Sequence, residues 1–271
     1  MTGLQAGQPA GLVASLRELA RHWELLVSWV GRELKVRYKQ SALGAAWAVL
    51  QPLSATLFFV VVFARFARVP TGGVPSPLFY YSALLPWTFL SSSLSFAVPS
   101  LVNNLTLVTK TYFPREILPV AEVLASLVDF AIASLLFAIL IVVYRAPLTA
   151  NLVYAPLIVA LEVIFVTGVV VAAAAANVFY HDVRFVVPLV AQLWMYATPV
   201  IYPLAVVPES WRAVYMLNPM AGLVESYRRV TVMGQPPDPR SLGLAAALSL
   251  VTFVLAYRLF KRVEMRFADV I

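Results

Sequence analysis

The fold is decided by long apolar stretches such as residues 117–143, ILPVAEVLASLVDFAIASLLFAILIVV. Only Glu122 and Asp129 carry a formal charge in this stretch. An α-helix rises about 1.5 Å per residue, so about 20 residues cross a hydrocarbon layer that is about 30 Å thick. The stretch therefore predicts a helix that spans a membrane.

The composition of the whole chain extends this prediction. Its 271 residues are 61% hydrophobic and only 12% charged, too little polar surface for one water-soluble globule. We predict an all-α membrane protein with a spanning domain at residues 42–271, preceded by a cytoplasmic interface segment at residues 1–41. The six predicted crossings lie at residues 44–64, 78–99, 117–143, 151–176, 184–204 and 241–260.

The basic residues predict the orientation of the chain. There are 20 Lys and Arg against 13 Asp and Glu. They cluster at the ends of the apolar stretches, which favours membrane topology over nucleic-acid binding. With the N-terminus inside, thirteen of the 20 lie on the cytoplasmic side. We therefore expect a multi-pass protein of the bacterial cytoplasmic (inner) membrane with both termini in the cytoplasm.

The segment before the first crossing has a helical repeat of apolar residues. They are spaced alternately four and three apart, which lines one face of a helix. They are Leu12, Leu16, Leu19, Trp23, Leu26, Val30 and Leu34. We expect this helix to lie along the membrane, with the basic cluster at residues 32–39 on an anionic cytoplasmic leaflet. Packing on other protein is the alternative.

Residues 205–240 are too apolar for a simple outer loop, yet Pro208 and Asn218-Pro219 interrupt them. We predict two short helices that re-enter the outer leaflet without spanning it. Non-helical backbone at such a depth has to be buried in protein or to line a water-filled path. The segment thus indicates a pathway through the membrane.

Three acidic residues, Glu122, Asp129 and Glu162, fall inside predicted crossings. An ionised carboxylate in a bilayer costs at least about 2.5 kcal/mol. No Lys or Arg is expected at the depth of Asp129 and Glu162, which predicts protonated carboxyl groups or hydrogen bonds to neighbouring helices. Two roles stay open for these acids: holding helices together, and moving protons or substrate.

The sequence offers little for catalysis or cofactor binding. It has no cysteine and two histidines, which argues against a thiolate or histidine metal site. It contains no HExxH, no Gly-x-Ser-x-Gly and no phosphate-binding Gly-Lys-Ser/Thr. We therefore expect no enzyme activity and no cofactor on this chain. Any ATP and Mg²⁺ would be held by a separate subunit.

Aromatic residues lie in the apolar stretches and at their ends. Most are expected to pack or to sit at the membrane interface, but flat aromatic faces also suit the C–H faces of a sugar chain. The candidates for such a channel surface are Phe58, Phe59, Trp87, Phe89, Trp194, Tyr196 and Tyr202.

Several short motifs follow one another along the chain. They are RYKQS at 37–41, LGAAW at 43–47, LPW at 85–87, KTYFPREILP at 110–119, NVFYHDVR at 177–184, TPVIY at 198–202 and LNPM at 217–220. In order and spacing, the motifs resemble the permeases of polysaccharide-export ABC transporters of the type 2 exporter group. Those permeases serve O-antigen, wall teichoic acid and capsule.

The resemblance implies a homodimer of this chain, two copies of an ABC ATPase subunit, and a lipid-linked polysaccharide as substrate. It implies that the loop 103–116 docks on the ATPase and that the turn 177–184 makes a second contact. The residues implied in this coupling are Lys110, Tyr112, Phe113, Pro114, Arg115, Glu116, His181 and Asp182.

By the same resemblance, the pathway runs between two protomers along the first, second and fifth crossings. The outer segment 209–232 would close it. The implied gate residues are Trp211, Tyr215, Asn218 and Pro219.

Two other functions stay open on the sequence alone. An exporter of a drug, a lipid or another small molecule from the same group would share this architecture. A proton-coupled carrier would use Asp129 and Glu162 instead.

Overall fold

The computed structural model describes residues 12–39, 41–110 and 113–267, without the side chains of residues 12, 109 and 110. Within these ranges the chain forms helices and turns and no strand. The α-helices are α1 Leu12–Arg21, α2 Trp23–Tyr38, α3 Trp47–Phe59, α4 Ser76–Ala97, α5 Ser100–Asn103, α6 Leu105–Lys110, α7 Ile117–Val143, α8 Ala155–Phe179, α9 Val183–Tyr196, α10 Glu209–Tyr215, α11 Pro219–Thr231 and α12 Pro239–Val263.

Five helical stretches in the described ranges are long and apolar enough to cross a membrane. They are Gly44–Phe66, Ser76–Asn103, Ile117–Val143, Ala150–Phe179 and Pro239–Arg266. Each coincides with one of the predicted crossings, and α7 has the predicted bounds. The prediction of an all-helical, multi-pass membrane protein is confirmed.

The crossing predicted at 184–204 contains a shorter helix. Helix α9 has 14 residues and ends at Tyr196, so it rises about 21 Å, less than the hydrocarbon layer. Pro199 and Pro203 follow it. Neither has the backbone N–H that would continue the helix. A sixth full crossing at this place stays a prediction.

Helix α4 forms the centre of the bundle. Its residues 78–87 are buried on every side, as expected for a helix that is apolar around its whole circumference. It contacts α3, α7, α8, α9 and α11. The position of α4 therefore decides which side chains face one another inside the protein.

The helix predicted at residues 12–34 is divided at His22 into α1 and α2. Helix α2 packs along α7, and Leu26 and Trp29 pack against an apolar cluster that includes Leu118 and Phe260. One side of this segment thus rests on protein. The boundary predicted at residue 41 stays a prediction.

The bundle has two ends. We call one end the terminal face, because the described ends of the chain lie there: α1 contacts α12, and the Phe179 and Phe267 rings lie 5.8 Å apart. The opposite end is the distal face. There Thr149 and Asn151 donate hydrogen bonds to the carbonyl oxygen of Gly234 at 3.1 and 2.9 Å.

Helices α8 and α12 approach closely at Gly168. A Cβ atom at this position would lie 2.8 Å from Cα of Phe253 on α12, nearer than real Cβ contacts. Small residues that let backbones meet are characteristic of helix packing in membranes.

We predict that Gly168→Ala lowers the thermal unfolding temperature of the purified protein, because overpacking costs about 1–3 kcal/mol. Gly243→Ala is the matched control, since a Cβ there meets no atom within 4 Å and alanine favours the helix. An equal response of the two variants would contradict the close contact.

Candidate functional site

A groove of about 560 Å³ opens between α3, α4 and α9. The α4 wall is a stripe of side chains spaced three or four residues apart, Leu84, Thr88, Ser91 and Ser95, with Trp87 beside it. Helix α3 contributes Ser54, Phe58 and Phe59, and α9 contributes Gln192 and Met195. The groove therefore combines aromatic faces with hydroxyl and amide groups.

The structure divides the seven candidate aromatic residues into separate places. Phe58, Phe59 and Trp87 line the groove. Trp194 lies behind it, with its ring 6.1 Å from Trp87 and edge-on to it. The other three lie away from the groove: Phe89 lines a cavity beside α2, Tyr196 is exposed, and Tyr202 contacts Tyr215.

Arg37, at the end of α2, reaches both acidic residues of α7. Its guanidinium donates to Oε2 of Glu122 at 2.8 Å and to Oδ2 of Asp129, and it lies over the ring of Phe96 at 3.8 Å. The expectation that no cation reaches the depth of Asp129 is wrong. Glu122 and Asp129 stand two helical turns apart on α7, and one arginine bridges them.

Tyr38 completes this arrangement. Its hydroxyl donates to the other oxygen of Asp129 at 2.5 Å. Burial, together with this hydrogen bond and the charge of Asp129, raises the pKa of the Tyr38 phenol, so it remains a donor. A cavity of about 180 Å³ borders Arg37, Tyr38 and Asp129 and extends to Trp47 and Phe89.

Glu162 on α8 has a different environment. It is 1% exposed, and neither carboxyl oxygen has a hydrogen-bond partner among the described residues. The structure therefore does not bring Glu162 together with Asp129 into one polar site.

The predicted coupling elements meet at the terminal face. Phe113 packs into the apolar cluster that also holds Phe179, and Arg115 donates to the carbonyl oxygen of Glu264. His181 and Asp182 are exposed in the turn before α9. Pro114 is buried. Tyr112 and the side chain of Lys110 lie outside the described residues.

Glu116 lies in the interior, beneath the coupling residues of the terminal face. It is fully buried, and its carboxylate accepts hydrogen bonds from Tyr257 at 2.8 Å and from Lys261 at 2.8 Å. The loop 103–116 is thereby joined to the last turns of α12. This contact spans 145 positions in the sequence, and no local pattern predicts it.

Asn218 connects the segment 209–232 to the end of α9. Its side-chain oxygen accepts from Trp194 Nε1 at 3.0 Å and from the backbone N–H of Met220 at 3.1 Å, which caps α11. Its amide donates to Thr198 Oγ1 at 2.9 Å. Pro219 is buried at the first position of α11, whereas Trp211 is 64% exposed.

The sequence analysis gave no role to Arg228, one of the seven basic residues that it did not place on the cytoplasmic side. The side chain is fully buried and donates to the carbonyl oxygens of Pro199 at 2.8 Å and Val200 at 3.2 Å. It also pairs with Glu225 at 3.2 Å and lies over the Phe79 ring. The sequence did contain one signal for its burial: Arg228 lies within the apolar pattern of α11.

Residues 24–232 match the ABC-2 type transporter family. The chain belongs to this family. The O-antigen export system permease protein RfbA of Myxococcus xanthus is 33% identical over 95% of the chain and 99% of the relative. For a protein of the same description from Klebsiella pneumoniae, the identity is 28% over 92% and 95%. The polysialic acid transport protein KpsM of Escherichia coli is 22% identical over 86% and 91%.

We predict that Arg37→Gln releases α2 of this transporter from the bundle. Loss of one partner from a buried ion pair costs about 3–5 kcal/mol, and here it leaves two carboxylates unpaired. Amide hydrogen exchange of residues 23–38 should accelerate at least about tenfold, while exchange in α7 changes less.

Lys35→Gln is the control, since Lys35 is exposed on the same helix. The triple variant Arg37→Gln, Glu122→Gln, Asp129→Asn should recover part of the protection. Equal exchange in Arg37→Gln and wild type would show that the ion pairs do not hold α2.

Proposed function

We propose that this chain is the membrane permease subunit of an ABC exporter that moves a lipid-linked polysaccharide across the cytoplasmic membrane. The observation that supports this most strongly is the groove between α3, α4 and α9. Its aromatic and hydroxyl surface suits a sugar chain, and its position agrees with the predicted pathway along the first, second and fifth crossings. The names of the relatives, O-antigen export and polysialic acid transport, point to the same substrate class.

The chemistry of the groove fits a polymer that has to slide. Phe58, Phe59 and Trp87 offer flat apolar faces that do not require one fixed sugar orientation. Ser91, Ser95 and Gln192 can exchange hydrogen bonds with hydroxyl groups. Since the groove is open on one side, a second copy of the chain would complete a channel, and we propose a homodimer.

The proposed orientation has the terminal face in the cytoplasm. Basic residues are concentrated at that end of the chain's crossings. Helix α9 and the turn at 197–203 together would make the sixth crossing, and α10 and α11 would re-enter from outside. The distal face then lies on the outer side of the cytoplasmic membrane. The exit of the proposed pathway is bordered by Trp211, Tyr215, Asn218 and Pro219.

Energy would come from two copies of an ABC ATPase subunit that bind ATP and Mg²⁺ at the terminal face. The exposed His181 and Asp182 would touch this partner, together with Lys110, Tyr112 and Phe113. Arg115 and Glu116 would not touch the ATPase themselves. Their hydrogen bonds to Glu264 and Lys261 would transmit a displacement of the loop to the end of α12. A rigid-body displacement of packed helices is a common form of such transmission.

A proton-coupled carrier built on Asp129 and Glu162 receives less support. One oxygen of Asp129 accepts from Arg37 and the other from Tyr38. Neither carboxyl oxygen of Glu162 has a hydrogen-bond partner among the described residues. The alternative of a drug or lipid exporter of the same family is distinguished from a polysaccharide exporter by the following experiment.

We predict that Ser95→Trp blocks export by filling the groove. The variant is expressed with its ATPase in a bacterium whose own permease gene is deleted, and polysaccharide is measured on the surface and inside the cell. The expected result is loss of surface polysaccharide with accumulation inside. Leu135→Trp is the control, because Leu135 is 67% exposed on α7 outside the groove. Export of polysaccharide by Ser95→Trp at the wild-type level would contradict the proposal.

We also predict that His181→Ala with Asp182→Ala uncouples the two subunits without unfolding either. Both side chains are exposed, so the unfolding temperature should change little. Export and substrate-stimulated ATP hydrolysis in proteoliposomes should fall severalfold. Glu24→Ala, exposed on α2, should leave both unchanged. Transport driven by a pH gradient without ATP would contradict the exporter outright.

A further inference from the structure

A second cavity, of about 310 Å³, lies at the distal face between α10, α11 and the start of α12. Three arginines from these three helices line it: Arg212, Arg229 and Arg240. Leu204, Met216 and Leu244 form an apolar wall. Neither the groove nor the coupling elements include this cavity.

Two of the arginines are fixed by backbone carbonyl groups. Arg212 donates from Nε to Val207 at 3.0 Å and from Nη2 to Ala205 at 3.3 Å, and Arg229 donates from Nε to Pro236 at 3.0 Å. Each guanidinium has five N–H donors, so both arginines have further N–H groups that can donate to a ligand. Arg212 also approaches Glu209 at 3.6 Å in an exposed pair, which contributes little.

Arg240 lies in the first turn of α12 and is exposed. Its side chain has no hydrogen bond or ion pair with any described residue. A guanidinium that borders a cavity without an acceptor of its own is available to a ligand.

Two carboxylates also line the cavity, but each already has a donor. Glu225 accepts from the buried Arg228 at 3.2 Å. Asp238 accepts from the backbone N–H of Ser241 at 2.9 Å and caps α12. Because Arg228 balances Glu225, the cavity keeps an excess of positive charge.

We propose that this cavity binds a phosphate group carried by a lipid headgroup. Arginine forks match phosphate oxygens geometrically, and the apolar wall accommodates the adjoining glycerol and first methylene groups. The volume is at the lower limit for small-molecule sites, which fits a headgroup and excludes a glycan chain. A headgroup there would join α10 and α11 to α12. This site does not depend on the transported substrate.

Native mass spectrometry of the purified full-length protein tests the proposal. The probes are dioctanoyl phosphatidylglycerol and inorganic phosphate, each titrated separately. Wild type should bind one lipid molecule saturably, and Arg240→Gln should bind it about tenfold more weakly, as expected for loss of one charge-assisted contact. Arg240→Lys should recover part of the affinity. Since Arg240 is exposed, unchanged unfolding temperatures will establish that the variants are folded.

Arg145→Gln is the matched control, because Arg145 is an exposed arginine at the same face, outside the cavity. Equal affinities of wild type and Arg240→Gln, or an equal loss in both variants, would overturn the proposal. Saturable binding of inorganic phosphate as tight as that of the lipid, lost in Arg240→Gln, would keep the phosphate site and reject the lipid as its source.

Discussion

A charge inside an apolar bundle has to be paired, and this constraint arranges the segments around the crossings. Three cations meet it in the same way. Arg37 joins α2 to two acids of α7, Arg228 joins α11 to the turn after α9, and Lys261 joins α12 to the loop 103–116. Each of these polar contacts joins segments that also meet through apolar packing, so it adds a specific hydrogen-bonded contact to that packing.

Local pattern was enough to predict the five helical stretches that are long and apolar enough to cross a membrane, since hydrophobic length depends on neighbouring residues alone. Helix α7 has the predicted bounds for this reason. The partners of Glu122 and Asp129 could not be predicted in the same way, because Arg37 lies 85 and 92 positions away. The end of α9 was missed for another reason: an apolar composition continues past Tyr196, while Pro199 and Pro203 stop the helix. Arg228 is buried. Counting basic residues predicts on which side of the membrane a segment lies, but it does not predict whether a given basic side chain is buried.

The groove and the terminal face depend on different helices of the bundle. The groove depends on α4, whose packing against α3 and α9 positions Trp87 and Ser95. The terminal face depends on contacts that bring the loop 103–116, the turn before α9 and the end of α12 together. Since α4 leads into α5 and α6, and α9 follows the turn, two of the three walls of the groove continue directly into that face. A displacement there would be passed to the groove through helices rather than through flexible loops.

A double-mutant cycle on Glu116 and Lys261 tests the pairing of buried charge most directly. Glu116→Gln and Lys261→Met each remove one charge, and stability is measured by unfolding the purified protein. The account predicts that each single variant loses more stability than the double variant, with a coupling energy of at least about 1 kcal/mol. Additive losses, with no coupling between the two positions, would contradict it.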